Sequence, residues 1–260
     1  MSGPQYEVYA VKYAHHVRRA SENFIGGDPH DGPMPLDFFV WLIRGDGREF
    51  VVDTGFSAAT AARRQRDHIR CPTEGLALLG ADARKIKDVV ITHLHYDHVG
   101  NFDLFPAASF HLQDREMQYA TGRHMAQPVF RGAFDVEDVV GMVRNTYAGR
   151  VKFHDGDAQI APGISLHFIG GHTMGLQVVR VATRRGRVVL ASDASHFYAN
   201  MEQVRPFPIV FNVADMVEGY ARLRALADSP AHIIPGHDPQ VLARYPAPDK
   251  ALQGIAARLD

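Results

Sequence analysis

Thr92-His93-Leu94-His95-Tyr96-Asp97-His98-Val99-Gly100 places three imidazoles and a carboxylate within six positions, directly after the apolar run Val89-Val90-Ile91. Four ionisable groups so close together are costly to desolvate unpaired. A divalent cation offsets that cost by taking neutral imidazole nitrogen and carboxylate oxygen as ligands. Histidines two apart in an extended turn point to the same side, which leaves Asp97 and His98 to turn toward a second ion.

Four ligands from one loop do not close two metal sites, so partners are expected downstream. Gly170-Gly171-His172-Thr173, Ala191-Ser192-Asp193-Ala194 and Pro235-Gly236-His237-Asp238 each set one His or Asp directly after a β-rich run. Side chains at such strand ends can converge on one cleft. Asp53, in Val51-Val52-Asp53-Thr54-Gly55, repeats the pattern and is expected to hydrogen-bond a ligating imidazole. His15, His16, His30, His68, His124, His154 and His167 stand alone and read as satisfied surface or core residues.

Outward from these motifs, strands are expected at Tyr6 to Tyr13, Asp37 to Arg44, Glu49 to Asp53, Asp88 to Thr92, Ser109 to Leu112, Ile164 to Ile169, Gln177 to Thr183 and Arg187 to Ser192. Helical patterns fall at Ala58 to Ile69, Asp114 to Thr121, Val136 to Tyr147 and Val213 to Ala227. Gly47 and Gly186 mark hairpin turns. Two groups of strands, each followed by helices, predict an αββα sandwich of two mixed β-sheets with helices on the outer faces. The chain of 260 residues, 46% hydrophobic, suits one such domain spanning residues 1–260. The irregular stretches Val17 to Pro35 and Met117 to Gly149 are expected to wall a substrate pocket. Phe24, Ile25, Met125, Phe130, Phe134 and Met142 are candidates for an apolar lining.

A net charge of −1 supplies no global field for nucleic acid or an anionic membrane. The local groups Arg63, Arg64, Arg66 and Arg184, Arg185, Arg187 read as solvated faces. One cysteine, Cys71, forms no internal disulfide and reads as a structural thiol. With no leader pattern and no apolar run long enough to span a membrane, the cytoplasm is the expected location. The run Arg205 to Phe211 is apolar enough to form an interface or to close the rim of the cleft, and oligomeric state has no signal in the sequence.

From about Phe38 to Tyr245 the sequence resembles the metallo-β-lactamase superfamily and, within it, the N-acyl homoserine lactonase group. The resemblance implies that His93, His95 and His172 hold a first metal, that Asp97, His98 and His237 hold a second, and that Asp193 bridges both. The cofactors implied are two divalent metal ions, with zinc first among metals that suit His and carboxylate. The substrate implied is a small-molecule lactone, opened by a metal-bridging hydroxide whose pKa the two cations lower. Asp97 would pass a proton to the leaving oxygen.

One position departs from the group's pattern. A Tyr three residues after the bridging Asp contacts the substrate carbonyl in those lactonases, whereas Asp193-Ala194-Ser195-His196-Phe197-Tyr198 puts His196 there. His196 donating in its place, or Tyr198 swinging in, are the two catalytic expectations, beside a plain packing role. Among rivals, a zinc β-lactamase is expected to carry Cys where Asp193 stands. Thioester hydrolysis of the glyoxalase II type is the runner-up, although it calls for an added helical substrate domain. A metal-bound protein that only binds its ligand is the third reading, and the complete ligand set speaks against it.

Overall fold

The computed structural model describes residues 3–260. Its strands are β1 (Glu7–His16), β2 (Leu36–Gly45), β3 (Arg48–Val52), β4 (Asp67–His68), β5 (Asp88–Val90), β6 (Ser109–Gln113), β7 (Val151–His154), β8 (Ala158–Ala161), β9 (Ile164–Phe168), β10 (Gln177–Thr183), β11 (Gly186–Ser192), β12 (Ile233–Pro235) and β13 (Ala256–Arg258). They form two sheets. The first runs β13-β1-β2-β3-β5-β6-β7 with β4 beside β1, and the second runs β12-β11-β10-β9-β8. Both are mixed: β3, β5, β6 and β7 pair in parallel, as do β11 and β12, while the remaining pairs are antiparallel.

Local chemistry explains the best-defined parts. Strand β2 is buried along Leu36 to Ile43, because one face meets the core between the sheets and the other is covered by neighbouring elements. Its hairpin to β3 pairs Gly45 with Arg48, leaving Asp46 (φ 53°) and Gly47 (φ 68°) as a two-residue turn with positive φ at both positions. The helices are α1 (Ala58–Arg64), α2 (Pro72–Leu78), α3 (Tyr96–Val99), α4 (Asp114–Thr121), α5 (Pro128–Arg131), α6 (Val136–Tyr147), α7 (Tyr198–Gln203), α8 (Val213–Leu226) and α9 (Gln240–Arg244). In α8, Met216, Gly219, Tyr220 and Leu223 recur at helical spacing and turn inward, toward β11. Asn212 caps that helix by accepting from the N–H groups of Ala214 and Asp215.

Two expectations change. The helix expected at Ala58 to Ile69 stops at Arg64, because Gln65 adopts a left-handed conformation (φ 55°) and Asp67–His68 leave to pair with β1. Several short elements, including β7, β8, β12, β13, α2 and α7, carry too little periodicity to be read in advance, since pairing partners far along the chain create them.

Helix α6 offers a test of buried charge. Asp138 Oδ2 is buried without a hydrogen-bond partner among the described residues, and burial, with the Asp135 charge adding to it, pushes the carboxyl up to about 7. The folded state therefore prefers the protonated acid. Stability from this site is fullest below the unfolded value of 3.8 and is lost as pH rises through about 7. After halving for partial solvent contact, Asp138→Asn is expected to stabilise the fold by about 2 kcal/mol near about pH 8.5 and by roughly half that near about pH 5.5. Urea unfolding at the two pH values measures it; a gain that does not grow with pH refutes the assignment.

Candidate metal centre

The two sheets deliver their strand ends to one edge. Strands β3 and β5 run parallel there, ending in Asp53 and the Thr92–His98 loop, while the parallel pair β11 and β12 ends in Asp193 and His237. Gln177 ties the sheets together at this edge, its backbone N–H donating to Thr92 O (3.0 Å) and its side-chain amide to Ile91 O (2.8 Å). His93, His95, His98, His172, Asp193 and His237 are each at most 3% exposed, and Asp97, at 9%, is the most open of the seven.

The outward ring nitrogens fix which atoms face inward. His172 Nδ1 donates to Ile209 O (2.7 Å), His237 Nδ1 to Asp37 O (3.0 Å) and His98 Nδ1 to Asp53 Oδ2 (2.7 Å). A carbonyl or carboxylate can only accept, so these three rings carry a proton on Nδ1 and turn Nε2 toward the interior of the cluster. Thr92 Oγ donates to Asp53 Oδ2 (2.8 Å), which leaves it to accept from His93 Nδ1 (3.1 Å). His93 Nε2 is thereby turned inward as well. His95 presents Nδ1 instead, 3.0 Å from His93 Nε2 and 2.9 Å from His172 Nε2.

Asp193 lies between two groups. Its Oδ1 is 2.9 Å from His237 Nε2 and 3.3 Å from His98 Nε2; its Oδ2 is 3.2 Å from His172 Nε2 and 3.8 Å from His93 Nε2. Asp97 Oδ2 reaches His98 Nε2 at 3.6 Å and His237 Nε2 at 3.8 Å. The donor atoms of His93, His95 and His172 cluster tightly enough to share one ion, and so do those of Asp97, His98 and His237.

Chemistry of the donors fits cations. One Nδ1 proton on His95 can satisfy only one of two facing Nε2 lone pairs, and His98 Nε2 is buried with no well-formed hydrogen bond. A divalent ion would satisfy all of them. Electrostatics divide the cluster: burial, reinforced by neighbouring imidazoles, holds His93 and His95 well below the usual histidine value, whereas against burial Asp193 and Asp97 raise His98 and His237, and the surrounding imidazoles hold the Asp193 carboxyl well below its ordinary range.

The backbone is strained where the site requires it. Asp53 (φ 60°) and Ser192 (φ 44°) are non-glycine residues in the left-handed region, both at strand ends beside the cluster. Gly236 has no room for a side chain, because a Cβ would fall 2.8 Å from Asp193 Oδ1 and from the Ser192 backbone.

The two catalytic candidates part company. His196 lines the cleft, stacks on Phe207 (3.7 Å, 10° between planes) and sets Nε2 3.0 Å from Asp193 Oδ2. Tyr198 does not reach the cleft lining: it is buried under the Arg244 guanidinium (3.7 Å), and its N–H donates to Asp238 Oδ2 (3.0 Å). As the first residue of α7 it is turned into the packing against α9 rather than toward the metal cluster.

The cleft above the cluster measures about 140 Å³, and its walls differ from the expected apolar ones. Phe24, Ile25, Met125, Phe130, Phe134 and Met142 do not line it; Leu36, Phe38, Phe207 and Ile209 do. Met125 and Phe134 border a separate apolar pocket of about 160 Å³, and Phe134 meets the His95 ring edge-on at 4.6 Å. Arg64 and Arg66 turn into the cleft, joined by Arg18, instead of forming a solvated face. Within Arg205 to Phe211, Phe207 and Ile209 close the rim.

Sequence reasoning missed Glu116. Fully buried, its Oε1 accepts from Leu94 N–H (2.9 Å) and its Oε2 from Gly175 N–H (3.0 Å), so one carboxylate pins the metal loop to the loop bearing His172. Its signal was present: Glu116 shares a helix face with the buried Tyr119 and Ala120, where a charge is out of place unless paired.

Two mixed sheets with a buried cluster of six imidazoles, His196 among them, and two carboxylates at their shared edge define a metal-dependent hydrolase. More particularly, the chain belongs to the metallo-β-lactamase superfamily, whose family model matches residues 37–237. The N-acyl homoserine lactonase AttM of Azorhizobium caulinodans is 27% identical over 244 residues, covering 82% of this chain and 85% of the relative. AttM of Agrobacterium fabrum is 27% identical over 239 residues, covering 84% and 88%. Among solved structures, a quorum-quenching N-acyl homoserine lactone lactonase superposes with a TM-score of 0.74 at 21% identity, covering 89% of this chain and 92% of that one. An N-acyl homoserine lactone hydrolase with N-hexanoyl-L-homoserine bound at its catalytic metal centre gives 0.73 at 21% identity, over 89% and 93%. At that identity the likeness is one of fold.

Proposed function

We propose that this chain is a dinuclear-metal hydrolase that opens a lactone ring, an N-acyl homoserine lactone or a related lactone. The observation that carries the reading is Asp193, whose two oxygens face two separate groups of ring nitrogens. In this reading His93, His95 and His172 hold one ion, Asp97, His98 and His237 hold the other, and Asp193 serves both. Two divalent ions, with zinc best suited to the donors, supply Lewis acidity and a lowered pKa for water. The lactone class is supported by the relatives named N-acyl homoserine lactonase.

The chain's own residues then bind, orient and move protons. Leu36, Phe38, Phe207 and Ile209 exclude bulk water from the cleft, which strengthens every charge interaction inside it. Asp97, the most open carboxylate of the cluster, is placed to take the proton the attacking water gives up and release it to the departing ring oxygen. His196 orients Asp193 through its 3.0 Å contact and is held flat by Phe207.

Chelator-free purification, metal analysis and turnover on matched lactones and thioesters test the proposal. Two metals with lactone opening is the expected result. Thioester cleavage without lactone opening would establish the glyoxalase II alternative, and two metals with no hydrolysis would leave a binding protein. A second expectation concerns His196→Phe, which removes a hydrogen bond to a charged group, worth roughly 1.5–3 kcal/mol, so turnover should drop roughly 10- to 100-fold with metal content retained. Unaltered turnover removes His196 from the machinery.

A further inference from the structure

Three guanidinium groups line the mouth of the metal cleft, those of Arg18, Arg64 and Arg66, and none of them is within ion-pair distance of a carboxylate among the described residues. Other arginines also lack a carboxylate partner, among them Arg70 and Arg150 on backbone carbonyls, but they do not line this cleft, and several others are paired. Arg19 pairs with Asp31, Arg44 with Glu49, Arg187 with Asp228 and Arg205 with Asp28, and Arg63, directly before Arg64, pairs with Asp135.

The cleft arginines are held by neutral acceptors. Arg18 Nε donates to Asn23 Oδ1 (2.7 Å) and Nη2 to Glu22 O (2.5 Å), with the guanidinium over the Phe207 ring at 5.1 Å. Arg64 donates to Gly132 O (3.0 Å) and Phe134 O (2.9 Å) and lies 3.9 Å over the Tyr96 ring. Arg66 Nε donates to the Tyr96 hydroxyl (3.1 Å) and Nη1 to Arg64 O (2.7 Å). Glu22, whose backbone carbonyl holds Arg18, turns its carboxylate Oε2 to the Arg19 N–H (2.7 Å) rather than to the Arg18 guanidinium. Arg18 Nη1 and Arg66 Nη2 make no hydrogen bond among the described residues.

Such an arrangement is preorganised and uncompensated. Aromatic stacking and carbonyl contacts lock the planes, while the charges remain unneutralised at the entrance to a site whose only acids, Asp97 and Asp193, belong to the metal cluster. A neutral lactone would gain hydrogen bonds to its carbonyl oxygens but no charge neutralisation. An oxyanion would gain charge-assisted hydrogen bonds and long-range attraction into the cleft. The cleft, at about 140 Å³, is also small beside the 300 Å³ or more typical of ligand pockets, which disfavours a long apolar tail inside it.

We propose that the substrate of this site carries a carboxylate or similar oxyanion, bound by Arg18 and Arg66 at the cleft mouth while Arg64 braces the wall. The inference rests on the lactone-opening reading for its reactive end only. Its test compares N-adipoyl homoserine lactone, whose chain ends in a carboxylate, with N-hexanoyl homoserine lactone of equal chain length. Binding is measured in parallel with unreactive carbocyclic analogues, N-cyclopentyl adipamic acid and N-cyclopentyl hexanamide, by calorimetry on the metal-loaded protein.

The anionic analogue is expected to bind on the order of tenfold more tightly, with a preference that weakens as salt is raised. Arg18→Gln and Arg66→Gln should each erode that ratio, and the loss in turnover should fall on KM for the anionic lactone. Equal binding of the two analogues by the unmodified protein overturns the inference. If both lactones are opened with equal efficiency, the oxyanion site fails while the lactonase reading stands. If neither is opened, the lactonase reading fails, and the binding ratio still decides the oxyanion site.

Discussion

Asp193→Ala is expected to abolish nearly all hydrolysis and to leave the protein unable to retain both metals. The Asp193 carboxylate is the one group with an oxygen toward each set of ring nitrogens, at 2.9 and 3.3 Å on one side and 3.2 Å on the other. Removing it would deprive both proposed ions of an anionic ligand and leave the inward ring nitrogens around it without a counterpart. Paired ions contribute several kcal/mol to the transition state, and each 1.36 kcal/mol is tenfold in rate, so a loss on the order of 10³-fold is anticipated. Metal analysis and steady-state kinetics on the purified variant check both halves. His98→Ala is expected to lose the ion proposed for Asp97, His98 and His237, and nearly all activity with it. Wild-type turnover in the Asp193 variant would dismiss the proposed two-ion mechanism.

The second large effect is anticipated at Asp53, which lies outside both proposed ligand sets. One of its oxygens accepts from the Thr92 N–H (2.7 Å), the other from His98 Nδ1 (2.7 Å) and the Thr92 hydroxyl (2.8 Å). Through Thr92 it also sets the proton on His93, so a single carboxylate orients one imidazole in each group. Burial raises the Asp53 carboxyl, and the His98 charge and hydrogen bonds oppose that rise. Partners of this kind cost roughly 10–100-fold in metal affinity or activity when removed. Asp53→Ala should therefore weaken binding at both sites, not one, as read by metal titration of chelator-stripped protein. Loss confined to the Asp97, His98 and His237 site would show that the Thr92 relay to His93 carries no weight. The strained φ of Asp53 makes an independent folding check by circular dichroism necessary.

Most of the fold and the core of the site were legible because their signals are local. His93 to His98 crowd into one turn, and His172, Asp193 and His237 each follow a β-rich run, so identity and position could be read together. The long strands and helices announced themselves by period and by their turn residues. Short elements such as β7, β12 and α7 did not, since they exist only through partners distant in the chain. Tyr198 and His196, two residues apart, looked equally able to reach substrate, and only the direction of α7 separates them.

Arg64 shows the same limit in a sharper form. Beside Arg63 in sequence it looked like part of a charged surface, yet the left-handed turn at Gln65 and the pairing of β4 with β1 bring Arg64 and Arg66 against Tyr96 and into the cleft over the histidine cluster. Sequence alone determined which donors this protein possesses, because residue type and strand-end spacing are one-dimensional properties. Tertiary structure decided which ring nitrogen faces inward, which carboxylate stands between two groups, and which charges guard the entrance. Those depend on hydrogen bonds and crossings between segments far apart in the chain, such as Asp53 with His98 and Asp37 with His237, and direction in space is something no single stretch of residues encodes.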